Sequence, residues 1–285
     1  MPAFPETLES LGWDERAAAS GEQRGRAMEN TGVSDSWQDF SGRFAPPPED
    51  APEDPVVQQI TRWLCADADL VDVGCGGGRL SVPLARYCKN VTALDPSPAM
   101  LTELRSHIHD RGIENINIVE STWEDWPERA PEQAPGVVLI AHLLYSVHPI
   151  GEFLAKAERV ARHRVVVLLS TAQPIAYFHP LWEAAHGEKR IESPGANEFA
   201  ALLRSWNIEF DTTRLEPSAA RPFPDPEAAV RRAASRLFVP EGSANYRRLE
   251  DAVRQNLEPM DGGGYRFQWQ AEIIPHLFSW APRGE

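Results

Sequence analysis

From Pro55 onward, apolar positions follow two alternating rhythms. "VVQQITRWL" places Val56, Val57, Ile60 and Leu64 at helical spacing, and "LVDVG" after it is a short apolar run of strand length. "RLSVPLARYC" predicts a helix with Pro83 near its first turn, where proline is tolerated, and "NVTALD" predicts the next strand. "SPAMLTELRSHI" begins with Ser97 as a cap and Pro98 at the first helical position, and sets Met100, Leu101, Leu104 and Ile108 on one face. "INIVES" and "GVVLIAHLL" predict strands, "IGEFLAKAERVA" a helix and "HRVVVLLST" a strand. "NEFAALLRSWN" predicts a helix and "IEFDTTRLEP" a strand. This alternation specifies an α/β fold with a mostly parallel sheet covered by helices on both faces. Residues 222–258 interrupt it with two helical pieces, "DPEAAVRRAASRLF" and "ANYRRLEDAVRQNL"; "DGGG" then marks a turn before "YRFQWQ" and "IIPHLFSWA".

Residues 1–55 break the rhythm and divide the chain into an N-terminal arm and linker, 1–55, and a main domain, 56–285, with a helical insertion at about 222–258. The arm ends in "APPPEDAPEDP", whose prolines remove donors and restrict their neighbours. Within the arm, "SDSWQDFSGRF" carries Trp37, Phe40 and Phe44, too much apolar surface to remain in water. It is expected to dock as a lid over the pocket.

Composition narrows the class. Of the 285 residues, 42% are hydrophobic and 25% charged, ordinary for a globular protein. Neither a membrane span nor a secretory signal is indicated. Cys65, Cys75 and Cys88 form no CxxC pair, and the eight histidines no zinc spacing, so free thiols, a cytoplasmic location and no metal are expected. The net charge of −14 disfavours a broad nucleic-acid surface, although residues 1–55 carry −8 of it and leave the body only mildly acidic.

The candidate chemistry lies in "LVDVGCGGGRL" and in Asp95, twenty-one residues beyond Gly74. A glycine turn between strand and helix lets a ligand approach the backbone, and a carboxylate ending the next strand can accept ribose hydroxyls. A dinucleotide fingerprint GxGxxG would need glycine at 79 or 81, where the chain has Arg79 and Ser81. What stands instead is DxGxGxG, from Asp72 through Gly74, Gly76 and Gly78.

With "STWEDW" after the third strand and "LIAHLLYSV" on the fourth, this set resembles the class I, Rossmann-like S-adenosylmethionine-dependent methyltransferases over roughly Val56 to Pro217. The resemblance implies a doubly wound sheet of seven strands, the last antiparallel, and S-adenosylmethionine as cofactor. It implies that Asp72, Gly74, Cys75, Gly76 and Gly78 surround the methionine and ribose portion, that Asp95 holds the ribose hydroxyls, and that Pro96 and Ser97 line the adenine. Trp123 would meet the adenine through its backbone. Thr122 stands where the family commonly has an acid, leaving the adenine amine to Glu124 or Asp125. Ala141 and His142 would lie nearest the sulfonium, and Gly136 begins the fourth strand where an aspartate is common.

Methyl transfer chiefly needs alignment and exclusion of water. Should the acceptor have to lose a proton, His142 is the best-placed base; its alternative role is to line the site. Tyr145 and His148 could shape the acceptor side or simply pack. The acceptor is read as a small molecule, since no "NPPY"-type tetrapeptide occurs. Arg221, Arg231, Arg232, Arg236, Arg247, Arg248 and Arg254 leave two alternatives open, a tRNA- or protein-directed enzyme, or a solvated helix face. A third is a non-catalytic cofactor-binding module.

Overall fold

The computed structural model describes residues 4–29, 44–48, 51, 54–64, 67–128, 134–217, 222–269 and 273–283. Trp37 and Phe40 of the expected lid, Cys65 and Arg221 lie outside them.

Seven strands form one sheet: β1 (Asp69–Val73), β2 (Asn90–Asp95), β3 (Ile116–Glu120), β4 (Val137–Ala141), β5 (Arg164–Ser170), β6 (Asp211–Arg214) and β9 (Pro275–Trp280). Their order is β3-β2-β1-β4-β5-β9-β6, parallel except for β9, which pairs antiparallel with both β5 and β6. The chain winds outward in one direction from β1 and then in the other from β4. Loops leaving the carboxyl ends of these two strands therefore diverge and open a crevice between them.

The helices α2 (Pro55–Ile60), α3 (Ser81–Leu84) and α4 (Pro98–Asp110) cover the first half, and α5 (Ile150–Val160) and α7 (Ala196–Ser205) the second. Asp54 and Ser97 cap α2 and α4 by accepting from Val56 N and Met100 N, each followed by proline at the first helical position. The helix predicted at "RLSVPLARYC" is short, four residues before a 3-10 turn at Ala85–Tyr87.

The arm contains the longest helix of the molecule, α1 (Leu8–Glu29), which the apolar pattern does not announce. Its start is closed reciprocally: Ser10 N donates to Thr7 Oγ1 and Thr7 N to Ser10 Oγ. The buried positions are Ser10, Trp13, Ala17, Ser20, Gln23 and Ala27, a helical stripe made mostly of small and polar side chains. Small residues let the backbone come close, and hydrogen bonds replace apolar mass. Trp13 Nε1 donates to Val147 O (3.1 Å), Asp14 accepts from Ile150 N (2.8 Å), and Gln23 Nε2 donates to Lys189 O (2.8 Å). Preceding α1, Phe4 stacks on Trp206 at 4.2 Å.

A second core stands at the carboxyl edge of the sheet. Phe178, Leu181 and Trp182 on the segment after β5, which includes α6 (Trp182–His186), pack with α8 (Pro226–Arg236) and α9 (Ala244–Gln255). Phe267 joins them from the hairpin of β7 (Leu257–Pro259) and β8 (Tyr265–Phe267). The helices of 222–258 thus share their core with residues before α7. Ala27 of α1 belongs to this cap while Trp13 and Ala17 belong to the sheet core, so α1 is a strut between the two. No helix among the described residues is long and apolar enough to cross a membrane.

If α1 is integral, Trp13→Ala, which removes a side chain 2% exposed, should destabilise the protein by about 3–5 kcal/mol. Urea titration measures this; a loss under about 1 kcal/mol would make α1 an accessory.

Candidate active site at the glycine turn

The turn after β1 is fastened to the end of β2. Gly74 N and Cys75 N both donate to Leu94 O (2.8 and 3.0 Å), Gly76 N donates to Asp95 Oδ2, and Ser97 N to Asp95 Oδ1 (both 2.9 Å). Gly74, Gly76 and Gly78 all have positive φ, +70°, +54° and +87°, which side chains rarely adopt. A Cβ at Gly78 would also run into the buried Leu104 side chain of α4. One glycine thus seats the helix and the others keep the turn bare.

Asp72 and Asp95 place two buried carboxylates at this turn. Ser81 Oγ donates to Asp72 Oδ2, while the buried Oδ1 has no hydrogen-bond partner among the described residues. Burial raises Asp72 to about 6, partly offset by Ser81, and the neighbouring Asp95 charge adds to the rise. Cys75 is buried and its thiol is pushed well up, chiefly by desolvation, so it is not a reactive thiolate.

Ser97 lies beside Asp95 as the α4 cap. Thr122 Oγ1 donates to Asp125 Oδ2 and accepts from Asp125 N, closing the turn in which an acid was expected. Trp123 is core: its indole stacks on Trp126 at 5.6 Å and donates to Phe153 O, and Glu124 is exposed. Lys156, which the sequence reading passed over, donates to the carbonyls of Trp123, Glu124 and Trp126 and gathers this loop.

At the end of β4, Ala141 is half-buried and His142 takes a positive φ of 54°. His142 Nδ1 lies 3.1 Å from Tyr145 Oη, which accepts from Ser170 N at 2.8 Å. Desolvation pulls His142 down to about 4 and raises Tyr145 to about 12, so both are neutral at physiological pH. His148 is exposed.

Residues of the arm and linker also meet the turn. Phe44 crosses it, with its carbonyl oxygen 3.0 Å from where a Cβ on Gly77 would be. Arg79 pairs with Asp54 at 2.8 Å, and Arg111 Nη2 donates to Pro47 O, tying the described parts of the linker beside the site. Next to the ends of β4 and β5 lies a cleft of about 210 Å³ whose walls include Ser20, Arg24 and Met28 of α1, Ser146, Gln173 and Arg190.

This arrangement fits S-adenosylmethionine by its chemistry: a backbone bare of side chains, an unpartnered buried acceptor for a cation, and a carboxylate at the second strand end. A family model described as a methyltransferase domain matches residues 70–164, which run from β1 into β5 and include the whole turn. Residues 70–164 carry a methyltransferase domain. Curated relatives of this methyltransferase domain include the ubiquinone biosynthesis O-methyltransferases of Azorhizobium caulinodans, 29% identical over 36% of this chain and 39% of that protein, and Erwinia tasmaniensis, 32% identical over 37% and 43%. That of Saccharophagus degradans is 26% identical over 59% of this chain and 70% of its own. The chain spans about two fifths of the length of the first two. Among solved structures, the YcgJ protein of Bacillus subtilis has a TM-score of 0.54 at 13% identity, covering 80% of this chain and 98% of that one. The [4+2]-cyclase SpnF reaches 0.51 at 14%, covering 80% of each chain. These two likenesses speak to the fold alone.

The opposed shifts of Asp72 and His142 have a measurable consequence. Between pH 6 and 4 native Asp72 holds a proton that the unfolded chain has released, so acidification through this window stabilises the fold. Native His142 stays neutral where the unfolded chain charges, so the same acidification destabilises. Removing the first term by Asp72→Asn should make the ligand-free protein lose more stability than wild type from pH 6.5 to 4, by on the order of 2–3 kcal/mol. Denaturant midpoints across this range measure it; parallel curves would contradict the burial argument.

Proposed function

We propose that the protein is an S-adenosylmethionine-dependent methyltransferase acting on a small-molecule acceptor. The observation that carries this is the glycine turn bound to β2 through Leu94 and Asp95 beside the unpartnered Asp72 oxygen. When bound, S-adenosylmethionine supplies a methyl group already activated on a sulfonium.

Gly74 to Gly78 provide the bare floor. Asp95 accepts from the turn through both oxygens, and ribose hydroxyls are further donors that a carboxylate can accept. Pro96 and Ser97 line the adenine side, with Thr122, Trp123 and Glu124 contributing backbone. Ala141 and His142 face the transferred methyl. His142 acts as a neutral wall and hydrogen-bonding group held by Tyr145, since an imidazole near 4 is a weak base. Phe44 supports the lid reading, because the described end of that segment already lies on the turn.

The small-molecule names of the curated relatives support the acceptor class, in the cytoplasmic setting the cysteines suggest. A tRNA- or protein-directed reading would gain from insertion arginines at the cleft, but Arg248 bonds Ala184 O and Asn245, Arg254 pairs with Glu227 and Glu250, and none is among the cleft's lining residues. The cyclase that shares the fold keeps a different reaction on this framework in view.

Calorimetry should show binding of S-adenosylhomocysteine and none of NAD; the reverse would overturn the proposal. Asp95→Ala should weaken that binding by about 1.5–3 kcal/mol with the circular dichroism spectrum retained. Once an acceptor is found, His142→Asn, which tolerates the left-handed backbone, should leave the rate profile between pH 6 and 8 unchanged in shape. Loss of an inflection near 6.5 would instead make His142 a base.

A further inference from the structure

The cleft beside the ends of β4 and β5 is positively charged within a chain whose net charge is −14. Its position follows from the strands: Ser146 directly succeeds Tyr145, the partner of His142, and Gln173 lies three residues beyond the end of β5. It therefore lies near the carboxyl ends of β4 and β5, the side from which an acceptor would approach in the proposed reaction.

Arg24 and Arg190 both line the cleft, and among the described residues no aspartate or glutamate does. All hydrogen bonds of Arg190 go to neutral acceptors, namely Ser20 O (3.1 Å), Ser20 Oγ (2.7 Å) and Gln23 Oε1 (2.6 Å). Its guanidinium lies 4.7 Å from the centre of the Trp182 ring, and its buried Nε has no partner. Burial lowers Arg190 only to about 10, so it remains charged at neutral pH; Glu192 and Glu188, which are not among the described lining residues, favour its charge, and Arg24, which lines the cleft with it, opposes it. A half-buried guanidinium held by neutral groups beside a second cation gains most from an anion that satisfies its remaining donors.

The wall opposite is kept low. Gly21 and Gly25, one turn apart on α1, line the cleft, and a Cβ at either would meet nothing within 4 Å. Glycine inside a helix costs about 1 kcal/mol relative to alanine, so these positions give up helix stability and leave room. Pockets for drug-sized ligands begin at about 300 Å³, so a cleft of about 210 Å³ suits a single ring or a short chain.

We propose that this cleft is the acceptor subsite and that Arg190, with Arg24 beside it, receives an oxyanion group, a carboxylate or a phosphate, of the molecule to be methylated. The inference rests on the methyltransferase reading.

The full chain saturated with S-adenosylhomocysteine is titrated with benzoate, phenyl phosphate and the neutral benzyl alcohol. At least one anion should bind about tenfold or more tighter than the alcohol, weakening as salt is added, and comparison of the two anions tells carboxylate from phosphate. Arg190→Gln and Arg24→Gln should each remove most of that preference while S-adenosylhomocysteine affinity stays as in wild type. Because Arg190 also holds α1, Gly21→Leu is the second variant: it keeps both charges and fills the cleft, and should block the anions. Equal affinity for the alcohol and the anions, or anion binding indifferent to both Arg24→Gln and Gly21→Leu, would overturn the proposal. Failure of S-adenosylhomocysteine to bind would instead count against the methyltransferase reading, and the same titrations on the free protein would still decide the anion preference.

Discussion

Three consecutive amides, those of Gly74, Cys75 and Gly76, are committed to the end of β2, and the site depends on that commitment. A turn between a buried strand and a helix must satisfy its donors without side chains that would fill the crevice. Leu94 O takes two of them and Asp95 takes the third, while its other oxygen fixes the start of α4 through Ser97. One carboxylate thereby sets the relative positions of the β1 turn, β2 and α4 before any ligand arrives. Asp72 pays the corresponding penalty, since it is buried with one oxygen unmatched. Such frustration is expected where a ligand completes the structure.

Above this floor the molecule adds a roof by unusual means. The cap has an aromatic core of its own, and α1 joins it to the sheet core through serine, glutamine, arginine and alanine. Arg190 and Gln23 knit α1 to the segment before α7, and Arg16 reaches Glu198 and the carbonyls of Glu192 and Ser193. Hydrogen bonds of this kind contribute little net energy each but are costly to leave unmade, so they fix geometry more than they add stability. That geometry brings Arg24 and Arg190 into one cleft beside the ends of β4 and β5.

The strands and helices from Pro55 to Ser205 were largely legible, because burial on both faces of a parallel sheet leaves continuous apolar runs, and because glycine, proline and serine mark the turns. DxGxGxG with Asp95 pointed to the turn where the glycine amides meet the end of β2. α1 escaped because its buried stripe is small and polar, invisible to a pattern of apolar residues; the spacing of Trp13, Ala17 and Ala27 was the available signal. The cap was underestimated because Phe178 and Trp182 lie in a proline-interrupted stretch far in sequence from α8 and α9. Trp123 reads as an adenine contact through its backbone, and its side chain fills the core, while Thr122, which replaces the family acid, closes a turn with Asp125. Arg24 and Arg190 carry no motif, since only the docking of α1 brings them together. The low pKa of His142 was hidden for a related reason: desolvation is a property of the assembled site.

The central claim is that the glycine turn and Asp95 hold S-adenosylmethionine, and a crystal structure with S-adenosylhomocysteine tests it most directly. The account predicts the ligand lying over Gly74 to Gly78, ribose hydroxyls on Asp95 and its ammonium drawn toward Asp72, with its sulfur on the side of Ala141 and His142. Ligand density elsewhere, or a ribose that does not touch Asp95, would contradict it.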